Sequence, residues 1–463
     1  LERAQRDRHS DKLGQLHKLL NGKFTDEQRA AAAEREVETA RRELDQTQAE
    51  IRHRSPRYAA LTQPQPLKPA QVQQLLDDDT LLLEYALGEK RSYVWVVSRN
   101  DVVPYILPAR AQIENAAQSF RESLSGWERQ RQNEDTLKYV VRFENEAQNY
   151  QRQALKLSSL VLWPAASNLG KKRLVILADG ALQYVPFGAL LVRNETRPST
   201  FDPLIVNNEI VYQPSASALA LIREAPPSTA TKTVAVLADP VFSRSDERVV
   251  IASESKAETT TTFSSRELRQ ALRDAGDVGS VDGNLRLERL DFTRGEADAI
   301  TAAAPAGSSM KALGFDANRA RVLDQELKQF RMVHLATHGI LDDYHPDLSG
   351  LVFSLVNEKG QFEDGFLKLN DIYNMDLPVE MIVLSACQTA VGKQVKGEGV
   401  IGLTRGFMHA GAARVVASLW KVDDKATAEL MKRFYTYLLE QKMPAAAALR
   451  QAQLDLMNTY KAS

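Results

Sequence analysis

The apolar positions of the chain change their period near residue 60. From Ala30 to Ile51, the residues Ala30, Ala33, Val37, Ala40, Leu44, Thr47 and Ile51 alternate spacings of three and four and so share one stripe of a long helix. Thr25 followed three positions later by Gln28 has the pattern of a capping box. The pattern predicts a helical segment over 1–60, either a hairpin packed on the body of the protein or the end of an upstream repeat array. The sequence has no internal repeat at the periods of about 34 to 47 residues typical of helical solenoids, so any such array would precede residue 1.

"TQPQPLKPAQ" (Thr62 to Gln71) ends the helical pattern with three prolines, and short β-rich runs follow. "TLLLEYAL" (Thr80 to Leu87) and "RSYVWVVS" (Arg91 to Ser98), separated by "GEK", predict a hairpin. Amphipathic helices are expected over 110–160, then buried strands at "RLVILADG" (Arg173 to Gly180) and "NEIVYQPS" (Asn208 to Ser215). "REAPPSTATKT" (Arg223 to Thr233) reads as a joint. Beyond it lie strands at "VAVLADP" (Val234 to Pro240), "RMVHLATHG" (Arg331 to Gly339), "MIVLSAC" (Met381 to Cys387) and "ARVVASLW" (Ala413 to Trp420), with a helix after Glu296. Alternating strands and helices predict an α/β fold with a mostly parallel sheet covered on both faces. Two consecutive α/β units are expected, over 75–225 and 230–463, behind the helical N-terminus.

Composition narrows the classes. The chain has 463 residues, of which 43% are hydrophobic and 26% charged, a globular profile. Lysine plus arginine total 59 against 60 acidic residues, which offers no electrostatic reason to bind nucleic acid or an anionic membrane directly. A single cysteine makes no internal disulfide. No apolar run approaches the roughly 20 residues of a membrane span, and the expectation is a reducing cytoplasm. No phosphate loop or dinucleotide fingerprint occurs in a strand-to-helix context, so no cofactor is expected.

That cysteine, Cys387, stands at the carboxyl end of a predicted strand, where open parallel sheets gather their reactive groups. His338 stands at the end of the preceding predicted strand, and the two strands are candidates for neighbours. An imidazole beside a thiol raises its thiolate fraction and can later protonate a leaving amine, so His338 and Cys387 are the candidate catalytic pair. The backbone N–H groups of Gly339 and Cys387 are the candidate oxyanion donors. The competing reading of Cys387 is a small buried hydrophobe. His334 and His338 have the spacing of metal ligands on a helix, but their segment reads as a strand and no metal site is expected. His334 reads as a hydrogen-bonded core residue, and His345 and His409 as structural or solvent-facing.

"VILADGALQYVPFGALL", "VHLATHG", "LSACQT" and "KGEGVIGLTRGFMHAGAARVVASLWKVDDKAT" together resemble the CHAT domain, the caspase-like module found after tetratricopeptide repeats and related to separase. About 50 residues separate His338 from Cys387, the spacing that accompanies the local cysteine signature of caspases. The resemblance spans roughly residues 75 to 460. It implies a cysteine endopeptidase on a caspase-type fold with two consecutive caspase-like α/β units, the first a pseudo-protease unit and the second active. The family's histidine falls on His338 and its nucleophile on Cys387. The resemblance also implies a protein substrate, and a regulatory partner recruited through the N-terminal helices or upstream repeats.

Asp423 and Asp424 in "LWKVDD" follow the strand after the nucleophile, which borders the P1 pocket in caspase-like folds. By resemblance to separase they favour cleavage after Arg or Lys, because burying a cation requires a counter-charge. Helix capping is the competing role for the pair. Arg294 and Arg405 are candidates for selecting an acidic P1 residue instead. The Ser- and Thr-rich stretch 253–267 reads as a surface loop, a candidate gate beside the cleft. Two other functions stay open: a catalytically silent caspase-fold scaffold, and a thiol-dependent acyltransferase or amidase.

Overall fold

The computed structural model describes residues 8, 12, 32, 35–43 and 46 near the N-terminus. It also describes 66–125, 135–193, 200–224, 228–250, 268, 287–341, 348–385, 387–388, 398–420 and 422–462. By its contacts the chain divides into two compact units, Leu1–Lys68 with Ser215–Glu224, and Pro69–Pro214 with Ala225–Ser463. In the first unit, 35–43 and Ala216–Glu224 are helical. Ala40 is buried, and Val37 and Glu43 are half-buried on the same side of the helix. The predicted capping box and the rest of the seam lie outside the described residues.

The second unit is mixed α/β. Its first sheet has the order β3-β2-β1-β4-β7, with β1 at Thr80–Ala86, β2 at Ser92–Val97, β3 at Val102–Leu107, β4 at Arg173–Leu177 and β7 at Ile210–Tyr212. The predicted hairpin is present: β1 and β2 are antiparallel with Leu83 opposite Val96. Gly88 belongs in the turn because a Cβ there would lie 2.5 Å from the carbonyl oxygen of Arg91. β3 was not expected. Its exposure alternates, and Pro104, which has no N–H to donate, is tolerated because β3 is an edge strand. β1 pairs with β4, and β4 with β7, in parallel. Helices α1 (Arg110–Ser125) and α2 (Thr136–Val161) supply Phe120, Leu157 and Val161 to a core shared with Leu83, Tyr85 and Phe187. A ribbon of β5 (Leu191–Arg193) and β6 (Phe201–Pro203) closes this half.

The second sheet, in the order β16-β14-β10-β8-β9, is parallel throughout, as the buried strand runs predicted. Its strands are β8 (Lys232–Ala238), β9 (Ser309–Leu313), β10 (Phe330–Ala336), β14 (Met381–Leu384) and β16 (Val415–Ala417). Alternation sorts the side chains by face. Val234, Val236, Met332 and Val383 pack toward α3 (Thr293–Ala303), α6 (Asp424–Tyr435) and α7 (Ala445–Ala462). Ala235, Leu237, Val333, Leu335 and Ile382 pack toward α4 (Leu369–Tyr373) and α5 (Glu398–Ala410). Arg450 on α7 joins the two halves of the unit through hydrogen bonds to the carbonyls of Ile205 and Val206 at 2.7 and 2.5 Å.

A small third sheet, ordered β13-β12-β11-β15, crowns the carboxyl ends of these strands. It comprises β11 (His338–Ile340), β12 (Gly350–Val352), β13 (Phe366–Lys368) and β15 (Cys387–Gln388). The strands expected over 331–339 and 381–387 are therefore each two strands. Thr337 sits at the first break, fully buried, and its hydroxyl donates to the carbonyl of Val352 on β12, so the chain leaves the large sheet with its polar groups paired. No described helix is long and apolar enough to cross a membrane.

Candidate functional site

The carboxyl ends of β8, β10 and β14 converge where the small sheet begins. β10 and β14 are parallel neighbours, Leu335 opposite Leu384, as expected of the two strands leading to the candidate pair. Beyond the breaks, β11 and β15 pair in parallel with His338 in register with Cys387 and Gly339 with Gln388. Neighbouring strands lie about 4.8 Å apart, so the backbones at His338 and Cys387 are as close as a sheet allows.

His338 is 5% exposed. Its Nε2 lies 2.6 Å from the carbonyl oxygen of Glu288, in the segment leading into α3. A carbonyl only accepts, so Nε2 carries the hydrogen and Nδ1 is the basic nitrogen of the neutral ring. The ring of Phe242, from the segment after β8, packs against the imidazole at 4.9 Å between centroids. The imidazole is thus fixed in tautomer by a main-chain oxygen and in orientation by an aromatic face. Neither Glu288 nor Phe242 was picked out in the sequence. Glu288 acts through its backbone, which residue type does not reveal, and a lone Phe after a strand reads as core.

His334, inside β10, points the other way, into the core beneath α3 and α6. Its Nε2 is 2.9 Å from Glu296 Oε1 and its Nδ1 3.2 Å from the Tyr435 hydroxyl. This agrees with its reading as a core residue. Among the described residues, no group of three or more His, Cys, Asp or Glu side chains could hold a metal ion.

Asp423 is the N-cap of α6, its carboxylate accepting from the Ala426 N–H at 2.9 Å. Asp424 turns back, and its Oδ2 accepts from the Phe292 N–H at 3.1 Å. Burial, with smaller contributions from Glu296, Asp423 and Asp291, pushes the Asp424 carboxyl above its ordinary range. His338 and Asp424 therefore contact the same short segment, at Glu288 and at Phe292. Arg294 is committed to Asp239, Nε to Oδ2 at 2.8 Å, while Arg405 is exposed on α5. His409 is half-buried with its ring 5.4 Å from that of Tyr373. The stretch 253–267 and His345 lie outside the described residues.

The family model of the CHAT domain matches residues 151–463. The chain belongs to the CHAT domain family. Tetratricopeptide repeat protein 28 of Homo sapiens is 42% identical over 82 residues, and that of Mus musculus 38% identical over 82 residues. Each alignment covers 18% of this chain and 3% of the relative, so the chain spans only a small part of the length of these relatives. The family is caspase-like and associated with tetratricopeptide repeats, and both named relatives are repeat proteins.

Proposed function

We propose that this CHAT domain is a cysteine endopeptidase whose dyad is His338 and Cys387. The observation that carries the reading is the register of β11 and β15, which sets the two residues opposite each other while the Glu288 carbonyl holds the imidazole as a base on Nδ1. In the proposed reaction Nδ1 takes the thiol proton and the thiolate adds to the scissile carbonyl carbon. The negative charge passes to the carbonyl oxygen, which the N–H groups of Gly339 and Cys387 stabilise. Collapse expels the amine, which takes the proton from the imidazolium, and leaves an acyl-thioester. Water, deprotonated by the same nitrogen, then releases the acid and restores the thiol.

The substrate is a protein cleaved after a basic residue. Asp423 and Asp291 lie close enough to Asp424 to raise its pKa, which groups three carboxylates here, and Arg294, a candidate for recognising an acidic residue, is occupied by Asp239. Residues 75–225, with a sheet but no cysteine, serve as a catalytically silent caspase-like unit beside the catalytic one at 230–463. The N-terminal helices, or repeats like those named in the relatives, recruit a regulatory partner in the cytoplasm.

The test is intact-mass spectrometry after exposure to peptide acyloxymethyl ketones carrying arginine or aspartate at P1, on wild type, Cys387→Ala and His338→Ala. With one thiol in the chain, a thiol adduct can form only at Cys387. Labelling by the arginine probe that requires both residues supports the reading. Labelling by the aspartate probe alone removes the basic specificity. Failure of both probes on a protein whose Cys387 still reacts with iodoacetamide favours a silent scaffold.

A further inference from the structure

Asp239 follows β8 directly, is 1% exposed, and adopts φ +52°, a left-handed conformation uncommon outside glycine. Such an outlier persists only where its surroundings over-determine it. Here three guanidinium groups converge on one buried carboxylate. Arg289 grips it with two nitrogens, Nε to Oδ1 at 2.8 Å and Nη2 to Oδ2 at 3.1 Å. Arg294 Nε donates to Oδ2 at 2.8 Å. Arg248 Nη1 is 2.9 Å from Oδ2 and donates to the Asp239 carbonyl at 2.9 Å. Asp246 and Glu247 hold the outer sides of Arg248 and Arg289 at 2.7 and 3.0 Å. The Asp239 N–H donates to the Thr293 hydroxyl at 3.2 Å.

These bonds tie together the two segments that hold the histidine. Arg289 is the chain neighbour of Glu288, whose carbonyl accepts from Nε2, and Phe242, three residues after Asp239, packs on the ring. Charge-assisted, bidentate pairs fix geometry more firmly than neutral ones. We infer that Asp239 is the positioning residue of the dyad: by gathering Arg289 and Arg294 it sets the Glu288 carbonyl on Nε2 and so keeps Nδ1 as the base. The inference rests on the reading of His338 and Cys387 as a pair. Asparagine at this position would turn an amide N–H toward donors and remove the charge that collects them.

The readout is the pH dependence of Cys387 alkylation by iodoacetamide, which follows the thiolate fraction, measured by intact mass on wild type, His338→Ala, Asp239→Asn and Arg289→Gln. Arg289→Gln leaves Asp239 paired with Arg248 and Arg294 and alters a side chain that is 31% exposed, so it keeps the test open should Asp239→Asn fail to fold. The expected result is alkylation at neutral pH about tenfold slower in both variants, with profiles moved toward that of His338→Ala. Variant profiles that coincide with wild type while His338→Ala is displaced would overturn the positioning role alone. A His338→Ala profile that coincides with wild type would remove the dyad, and this inference with it.

Discussion

His334 and Glu296 meet at 2.9 Å with both side chains wholly excluded from solvent. The contact is close but lies outside hydrogen-bond alignment. Tyr435 completes the cluster, and burial together with the Glu296 carboxylate pushes its phenol well above the ordinary range. Removing one member of a buried pair strands the other. Glu296→Leu should therefore lower unfolding free energy by about 1–3 kcal/mol, and Glu296→Leu with His334→Phe should recover most of the loss. Denaturant unfolding of the two single variants and the double variant checks this, and additive losses would show that the groups do not depend on each other.

Thr337 is the hinge of the site, where the chain passes from β10 to β11 through a buried hydroxyl bonded to the Val352 carbonyl. Thr337→Val keeps the shape and leaves that carbonyl without its partner. The expected loss is about 1–3 kcal/mol of stability. Because β11 carries His338, labelling of Cys387 by the arginine probe should slow as well. An equally stable variant with unchanged labelling would mean that another donor serves Val352.

The sheet leading to the site was legible because β8, β10 and β14 are continuous buried runs, such as Val234 to Ala238, that only a sheet covered on both faces accepts. Parallel order then followed from the helices between them. The breaks at Thr337 and after Leu384 were not legible, since a chain that leaves one sheet and enters another keeps the same strand-forming residues. The short strands β12 and β13, three residues each, carry too little alternation to register. Near the candidate site, the pairing of the two strands that lead to His338 and Cys387 was readable from their neighbouring positions in the chain. The Glu288 carbonyl and the grip of Arg289 on Asp239 were not, since one is a main-chain atom and the other pairs residues 50 positions apart.

Asp424 makes a pH-dependent contribution whose sign follows from its raised pKa. The folded state holds this proton more tightly than the unfolded chain does, so across the interval above the ordinary carboxylate value stability falls as pH rises. Burial, and to a smaller extent Glu296, Asp423 and Asp291, make the charged form costly in the folded state. Asp424→Asn preserves an acceptor for the Phe292 N–H and removes the charge. The variant should unfold at higher temperature than wild type near neutrality, and the difference should vanish in acid below the ordinary carboxylate range. A gain that persists in acid would point to a cause other than the carboxylate charge.

Asp423 separates the two roles weighed for the acidic pair. As the N-cap of α6 it accepts from the Ala426 N–H, and asparagine caps about as well as aspartate whereas alanine does not. Asp423→Ala should therefore cost about 1 kcal/mol of stability, and Asp423→Asn close to nothing. A counter-charge for a basic P1 side chain has the opposite requirement, because asparagine keeps the shape and loses the charge. If Asp423 faces the bound arginine, Asp423→Asn should label with the arginine probe about tenfold more slowly than wild type, the loss of one charge-assisted bond, at unchanged stability. Labelling at the wild-type rate in Asp423→Asn, beside a destabilised Asp423→Ala, would confine this residue to capping and leave Asp424 to supply the basic specificity.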